Sequence, residues 1–151
     1  MIVLRSATPQ EAIALSDLCL RSKAVWGYDD AFLRACRDER TLSADDISTD
    51  EIQVADVSGA LAGVIQIRVD GGTAILDKLF VDPAFQGKGV GRTLYDWGKS
   101  RAAKAGASIL MIEADPEAAS SYRRMGARDV GAVASSSIPG RLLPLLRASL
   151  R

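Results

Sequence analysis

Histidine is absent from the 151-residue sequence. This absence removes the side chain that most often serves as a general base near neutral pH and that most often binds a metal. Cysteine is scarce as well, since Cys19 and Cys36 are the only two and stand on separate helix-like segments. We therefore predict buried, reduced thiols in a cytoplasmic protein, with neither a disulfide nor a metal site.

The sequence also lacks an excess of charge of either sign. Nineteen basic and nineteen acidic residues give a formal net charge of zero, so no overall field would attract nucleic acid or an anionic membrane. No apolar run has the length of a membrane span, and residues 1–6 do not have the layout of a signal peptide. We expect neither nucleic acid nor a membrane among the partners.

The overall composition is that of an ordinary globular protein. Apolar residues make up 48% of the chain and charged residues 25%, both usual values for a soluble domain. A chain of this length buries most of its apolar surface around one core, and no repeat or low-complexity linker divides it. We predict a single domain over residues 1–151.

Hydrophobic periodicity and turn residues predict a mixed α/β sheet with helices on both faces. A first helix capped by Thr8 would carry its apolar residues at Ile13, Leu15, Leu18 and Cys19. Pro144 would place the last strand at a sheet edge, because proline cannot donate to a ladder. The predicted strands cover residues 2–5, 52–57, 60–69, 74–81, 108–113, 128–133 and 142–148, and the predicted helices cover residues 9–22, 31–40, 90–105 and 116–125.

The segment that carries most information is a glycine-rich run between a predicted strand and a predicted helix. It reads Gln86, Gly87, Lys88, Gly89, Val90, Gly91. Alternating glycines leave backbone N–H groups unshielded, and a helix N-terminus carries about +0.5 of an elementary charge. Both features favour an anion such as a phosphate, and Lys88 and Arg92 add two full positive charges. The segment predicts a diphosphate site; the alternative is a glycine-rich turn without a ligand.

Two common phosphate-binding motifs do not fit the spacing of these glycines. A P-loop needs Ser or Thr directly after the lysine, where Gly89 follows Lys88. A dinucleotide-binding fingerprint needs a third glycine where Arg92 or Leu94 stands. The pattern that fits is Q-x-x-G-x-G, carried by Gln86, Gly89 and Gly91.

A second segment follows the predicted strand 108–113. Asp115 is typical of a helix N-cap, Pro116 of a first helical residue, and Gly126 of a left-handed cap at the helix end. Together with the glycine run, this segment resembles the GNAT superfamily of acyl-CoA N-acyltransferases. The family's Q/R-x-x-G-x-G/A loop matches Gln86, Gly89 and Gly91, and its later block of Asn or Asp, Ala, Tyr and Gly matches Asp115, Ala118, Tyr122 and Gly126.

The resemblance covers residues 60–131. It implies a mixed, mostly antiparallel sheet and transfer of an acetyl group from acetyl-CoA to a primary amine of a small molecule or peptide, and it leaves a homodimer open. In such a fold the strand before the glycine loop holds the pantetheine arm of CoA, and a backbone N–H there stabilises the oxyanion. Asp115 replaces the family's frequent Asn, which can alter a hydrogen bond to the pantetheine. The predicted cofactor contacts are Leu79, Phe80, Val81, Gln86, Gly87, Lys88, Gly89, Val90, Gly91, Arg92, Asp115, Ala118 and Tyr122.

The resemblance also implies a proton donor for the leaving thiolate. The family motif places Tyr122 near the sulfur of CoA, where its hydroxyl would act as a general acid. The alternative is that the Tyr122 ring only packs against the core.

The amine must lose a proton before it attacks, because an alkylammonium has a pKa of about 10. Without histidine, a carboxylate acting directly or through water is the simplest base. Asp77, expected on the same strand face as Leu79 and Val81, and Glu113 in the neighbouring strand are equal candidates. The alternatives are a chain of water molecules without a single base, or ion pairing of these carboxylates with Lys78, Arg68 or Arg124.

The loop between the first two helices mixes aromatic with acidic residues. Trp26 and Tyr28 can hold an amine by cation–π contact, and Asp29 or Asp30 by charge pairing, with residues 135–141 as an opposite wall. The alternative is that the two rings only pack the helix junction. A catalytically silent acyl-CoA sensor is a second function class, which would keep the glycine loop but need neither Tyr122 nor a base.

Overall fold

The computed structural model describes residues 1–37, 41–49 and 51–150. Its strands form one seven-stranded sheet in the order β1-β2-β3-β4-β5-β7-β6. Neighbouring strands are antiparallel except for the parallel pair β4–β5, so the predicted mixed sheet is confirmed. The strands are β1 Ile2–Ser6, β2 Glu51–Val57, β3 Ala60–Asp70, β4 Thr73–Val81, β5 Ile109–Glu113, β6 Arg128–Ala134 and β7 Leu142–Ser149.

Helices cover both faces of the sheet, as predicted. One core joins α4 and α5 to the sheet, and the other joins α1 to the opposite face, where Phe80 is buried. None of the described helices is long and apolar enough to cross a membrane. The helices are α1 Ala12–Ala24, α2 Asp30–Ala35, α3 Ala44–Thr49, α4 Val90–Lys104 and α5 Ala119–Arg124.

The first helix differs from its prediction in its bounds and in one exposed residue, since a 3-10 turn covers Pro9–Glu11 and α1 covers Ala12–Ala24. Thr8 closes the preceding 3-10 turn, since its N–H donates to Glu11 Oε1 at 3.0 Å. Leu15, Leu18 and Cys19 are fully buried, but Ile13 is 79% exposed. At 3.6 residues per turn, Ile13 lies about 200° around the helix from Leu15, so it faces solvent.

The region between α1 and β2 was only partly predicted. Instead of a helix over 31–40, the structure has the shorter α2, and residues 38–40 of that prediction lie outside the described residues. Helix α3 was missed although the sequence carries its capping box. Asp46 N–H donates to Ser43 Oγ at 3.0 Å, and Ser43 N–H donates to Asp46 Oδ2 at 2.9 Å.

The prediction that β7 lies at an edge is wrong, because β7 is paired on both sides. Pro144 pairs with Ala132 of β6 and lies just past the last β5–β7 pair, Glu113 with Leu145. Its carbonyl accepts a hydrogen bond from Ala114 N–H at 2.9 Å. The N–H that proline lacks would fall at the end of the β5 ladder, so an interior strand tolerates it there.

The parallel strands β4 and β5 separate halfway along β4. They pair from Thr73–Ile109 to Leu76–Ile112, and β4 then continues alone to Val81. On its other side, β4 contains an extra residue, Asp77, opposite the register shift in β3. A bulge of this kind bends a strand and increases its twist. The result is a gap between the two strands.

Helix α4 packs closely on the sheet because it carries a glycine at the contact. A Cβ atom added to Gly98 would lie 2.7 Å from Ile65 Cδ1, and Ile65 is fully buried. This close approach fixes the height of α4 above β3, and with it the position of the glycine loop at the start of α4.

We expect Gly98→Val to lower the free energy of unfolding by about 1–3 kcal/mol, because the larger side chain overpacks the contact with Ile65. The matched control is Ser100→Val on the exposed side of the same helix, which should change stability by less than about 0.5 kcal/mol. Urea denaturation measures both. Equal losses in the two variants would contradict the close packing.

Candidate active site

The glycine loop presents a row of backbone donors at the start of α4. Gly89 caps the helix in a left-handed conformation, φ 82°, which favours glycine. The first intrahelical bond runs from Thr93 N–H to Gly89 O at 3.0 Å. The N–H groups of Val90, Gly91 and Arg92 precede it and therefore have no intrahelical acceptor. The structure therefore has a helix start with unpaired backbone donors at the glycine run.

Open space lies in front of this loop. A Cβ atom built on Gly87 or Gly89 would meet nothing within 4 Å. A cavity of about 670 Å³, here called the loop cavity, lies between the loop, the end of β4 and α5. Gln86 Nε2 donates to Val81 O at 3.3 Å and so ties the loop to β4. Of residues 86–92, all but the exposed Lys88 line the loop cavity.

A second cavity, of about 300 Å³, lies in the gap between β4 and β5 and is here called the splay cavity. It contains both predicted carboxylates, Asp77 and Glu113, and most of the unpaired half of β4. The two cavities share a boundary. The residues that line both are Trp26, Leu79, Ala118 and Tyr122.

Tyr122 lies on α5 at this boundary and is 6% exposed. Its ring packs in the core, 5.9 Å from the Tyr95 ring between centroids. Its hydroxyl makes no hydrogen bond to the described part of the chain. Burial, helped by the neighbouring Tyr95 and Asp115, raises the pKa of Tyr122 above its ordinary value, so the hydroxyl keeps its proton at neutral pH. Tyr122 therefore packs its ring in the core and also lines both cavities.

Asp115 holds a cluster of polar groups rather than starting α5. Its Oδ1 accepts from Glu117 N–H at 2.9 Å, and its carbonyl accepts from Ala118 N–H at 2.8 Å. These bonds close a tight turn, so α5 begins at Ala119 and not at Pro116 as predicted. Gly126 ends the helix with a positive φ of 99°, as predicted.

The Asp115 carboxylate is also bound by three side chains from other parts of the chain. Lys23 Nζ lies 3.2 Å and Arg141 Nη2 lies 3.3 Å from Oδ2, and Tyr28 OH donates to Oδ1 at 2.9 Å. Burial alone would raise the pKa of Asp115, but the Glu117 N–H bond and the Lys23 charge outweigh it and lower the pKa. The carboxylate therefore stays ionised.

The two candidate bases have different surroundings. Asp77 forms an ion pair with Arg68, whose Nη2 lies 3.2 Å from Oδ1 and whose Nε contacts Oδ2. Glu113 stands exposed at the end of β5, and no described residue forms an ion pair with it. Both line the splay cavity, but only Asp77 has a fixed cationic partner.

The prediction that Asp77 shares a face with Leu79 and Val81 is wrong. Leu76 and Leu79 pack against the same core, which simple alternation forbids for residues three apart. The extra residue in β4 breaks the alternation. Asp77 pairs with Arg68, which follows Ile67 of that same core and so points to the opposite, α1 side of the sheet.

The residues predicted to bind the acceptor have three different positions. Trp26 lines both cavities. Tyr28 lies behind the splay cavity and bonds to Asp115. Asp29 caps α2, where its Oδ1 accepts from Phe32 N–H at 2.8 Å, and neither it nor Tyr28 is among the residues that line the two cavities.

Sequence reasoning missed Lys23 and assigned no contact to Arg141. Lys23 is 2% exposed, but a lysine in a helical pattern normally indicates the solvent face. Arg141 meets Asp115 across 26 residues and Tyr28 across 113. No local pattern in the sequence indicates either contact.

Comparison with known proteins identifies the family and the fold. The acetyltransferase (GNAT) domain model matches residues 10–136, whereas no curated protein matches the sequence. The PaiA N-acetyltransferase of Thermoplasma acidophilum, in complex with coenzyme A, has a TM-score of 0.83 at 15% identity over 99% of both chains.

Two further solved structures show the same fold. The ribosomal-protein-S18-alanine N-acetyltransferase of Escherichia coli has a TM-score of 0.74 at 17% identity, over 99% of this chain and 94% of that one. The yncA protein of Salmonella typhimurium, with its cofactor acetyl-CoA, has a TM-score of 0.71 at 19% identity, over 100% and 95%. Because the family model spans most of the sequence, the chain belongs to the GNAT acetyltransferases.

Proposed function

We propose that the protein transfers an acetyl group from acetyl-CoA to a primary amine of a small molecule or peptide by direct attack. The observation that carries this proposal is that Tyr122, with Leu79 and Ala118, lies where the loop cavity meets the splay cavity. A thioester reaching the boundary from one side would meet an amine from the other. The two reactants would need no covalent enzyme intermediate.

The loop cavity is the proposed donor site. The diphosphate of CoA would accept hydrogen bonds from the N–H groups of residues 86–92, and the helix dipole of α4 would add to them. The pantetheine arm would run along the unpaired edge of β4 at Leu79–Val81. Coenzyme A or acetyl-CoA in the PaiA and yncA structures supports this donor class.

The chemistry proceeds by addition and elimination at the thioester carbon. The neutral amine forms a C–N bond, and the carbonyl oxygen becomes an oxyanion that a backbone N–H near Leu79 or Phe80 stabilises. The oxyanion then expels the CoA thiolate, which takes a proton from Tyr122. A base removes one proton from the ammonium form of the amine before attack, and the proton that the new C–N bond leaves on nitrogen returns through solvent to the Tyr122 oxygen.

We assign the base to Glu113, acting directly or through one water molecule. Asp77 lies in the same cavity, but its carboxylate is already bound by two nitrogen atoms of Arg68. Glu113 has no ion-pair partner in the part of the chain that the structure describes. Its oxygen atoms are therefore available to an ammonium group that enters the splay cavity.

An acceptor screen tests the proposal. Release of free thiol from acetyl-CoA in the presence of different primary amines would support an acetyltransferase. Tight binding of CoA without thiol release for any amine would instead support a silent acyl-CoA sensor.

The first prediction concerns the donor site. Gly91→Glu should weaken CoA binding at least about 100-fold, since like charges 4 Å apart repel by about 4 kcal/mol at an effective dielectric of 20. Gly91→Gln is the matched control, with nearly the same volume and no charge. Position 91 suits this test because an added Cβ atom meets only Val81 Cγ2, at 3.5 Å. Calorimetry should separate the two variants, and equal losses in both would contradict an anion site.

The second prediction concerns Tyr122. Tyr122→Phe should lower kcat by about 10- to 10³-fold, the loss of one general acid, with CoA affinity and melting temperature almost unchanged because the ring remains. The raised pKa of Tyr122 keeps its proton in place at high pH. The kcat of the wild type should therefore show no decline as the pH rises to about 10, the ordinary pKa of tyrosine. A variant with full kcat, or one that loses stability instead, would leave Tyr122 a packing residue.

The third prediction separates the two carboxylates. Glu113→Gln should lower kcat/KM about 100-fold or more near pH 7, as expected for a lost general base. Activity should recover as the pH approaches about 10, where the acceptor amine is increasingly neutral without help. Asp77→Asn is the matched control, and its kcat/KM should not show this recovery at high pH. The assignment fails if the pH signature appears in Asp77→Asn and not in Glu113→Gln.

A further inference from the structure

We infer that Arg141 determines the class of acceptor: it closes one side of the splay cavity and restricts the enzyme to small amines, excluding peptide termini. The inference rests on the proposed function and narrows it. Its basis is a contact between the two segments that would otherwise border an open groove. These segments are residues 25–29, between α1 and α2, and residues 135–141, between β6 and β7.

Arg141 joins the two segments through polar contacts. Its Nη2 donates to Tyr28 OH at 3.0 Å and lies 3.3 Å from Asp115 Oδ2. Tyr28 OH in turn donates to Asp115 Oδ1 at 2.9 Å. The three side chains form a closed triangle behind the lining of the cavity. We call it the Arg141 bridge.

Aromatic packing reinforces the bridge. The guanidinium carbon of Arg141 lies 4.8 Å from the Phe32 ring centroid and 5.6 Å from that of Tyr28. The two rings stack on each other at 4.1 Å. Guanidinium groups bind ring faces favourably, and more so when water is excluded. The bridge therefore combines stacking with charge-assisted hydrogen bonds.

The segment that carries Arg141 is itself a closed turn. Ser135 N–H donates to Arg141 O at 2.8 Å, and Ser135 Oγ accepts from Ile138 N–H at 3.1 Å. These bonds tie residues 135–141 into one turn. Ser136 of this turn and Trp26 of the other segment both line the splay cavity, so the bridge sets the distance between two of its walls.

Parting the walls would be costly. The side chains of Arg141 and Asp115 are only 15% and 10% exposed. Separation would take the largely buried Arg141 guanidinium away from its counter-charge, although Asp115 would keep Lys23. Breaking a buried ion pair in this way is strongly unfavourable, because it leaves one charge uncompensated. A peptide chain, which needs a continuous groove, would have to meet this cost. A small amine would not.

The size of the cavity agrees with this restriction. Its volume of about 300 Å³ is at the lower end of the range of roughly 300–1,000 Å³ for small-molecule sites. Lys23 and Lys78 line it together with the carboxylates, and Asp77 is paired with Arg68. Glu113 is the carboxylate in the lining that has no ion-pair partner among the described residues, so a compact amine suits both the volume of the cavity and this side chain.

The test compares two acceptor classes in the full-length protein. Tyramine and cadaverine serve as small amines, and a hexapeptide with a free N-terminus serves as the chain-like amine. Thiol release gives kcat/KM for each. In the wild type we expect the small amines to exceed the hexapeptide at least 100-fold. In Arg141→Gln, which opens the bridge, that ratio should decrease at least tenfold.

Two further variants keep the result interpretable. Arg147→Gln removes an exposed arginine of β7, the strand that begins directly after Arg141, and should leave the ratio unchanged. Tyr28→Phe keeps the stacked rings but removes one bridge hydroxyl, and should decrease the ratio less than Arg141→Gln does. If Arg141→Gln is too unstable to assay, Tyr28→Phe alone must still decrease the ratio.

The outcomes distinguish this inference from the proposed function. Comparable wild-type kcat/KM for the hexapeptide and the small amines would overturn the inference and leave the acetyltransferase proposal intact. An unchanged ratio with only a lower melting temperature in Arg141→Gln would also overturn it, since Arg141 would then be purely structural. Absence of thiol release with every amine would overturn both.

Discussion

The rest of the site depends on one extra residue in β4. Asp77 adds a bulge just where β4 stops pairing with β5, and bulges bend strands. The bend opens the gap that becomes the splay cavity, and it leaves the edge of Leu79–Val81 without a neighbouring strand. It also lets Tyr122 reach a boundary that a continuous parallel sheet would have closed. A separated strand pair thus supplies both a binding edge and a passage between two cavities.

The second constraint is electrostatic. Asp115 contacts Lys23 of α1, Tyr28 of the loop after α1, and Arg141, which directly precedes β7. Buried charges are unfavourable unless paired, so a neutral Asn at this position would leave two cations without their shared counter-charge. The carboxylate that Asp115 supplies is therefore the shared partner of Lys23 and Arg141 in this chain. We interpret Asp115 as a residue that holds the walls of the splay cavity together.

The parts of the site that the sequence predicted are those formed by neighbours along the chain. The glycine loop and the cap at Gly126 depend on local backbone geometry, and Tyr122 follows from a short motif. Errors arose where distant segments decide the outcome. The face to which Asp77 points depends on a bulge that is set by the pairing of β4 with β3. The interior position of Pro144 depends on where β5 ends, and the contacts of Lys23 and Arg141 depend on long-range packing. Asp29 is a third case. Its place before α2 is typical of a helix N-cap, but the sequence analysis interpreted its carboxylate as a ligand-binding group.

The two cavities also explain why a sequence pattern predicts the proposed donor site but not the proposed acceptor site. Backbone N–H groups bind a diphosphate whatever the side chains are, provided glycines keep the approach clear, so one short pattern suffices. In the proposed acceptor site, recognition would depend on side chains from α1, β4, β5 and the β6–β7 segment, and each can vary independently of the others. A family can therefore keep one donor while its members diverge in acceptor. The identity of the amine must be sought in the walls of the splay cavity, and above all in what holds those walls at their present distance.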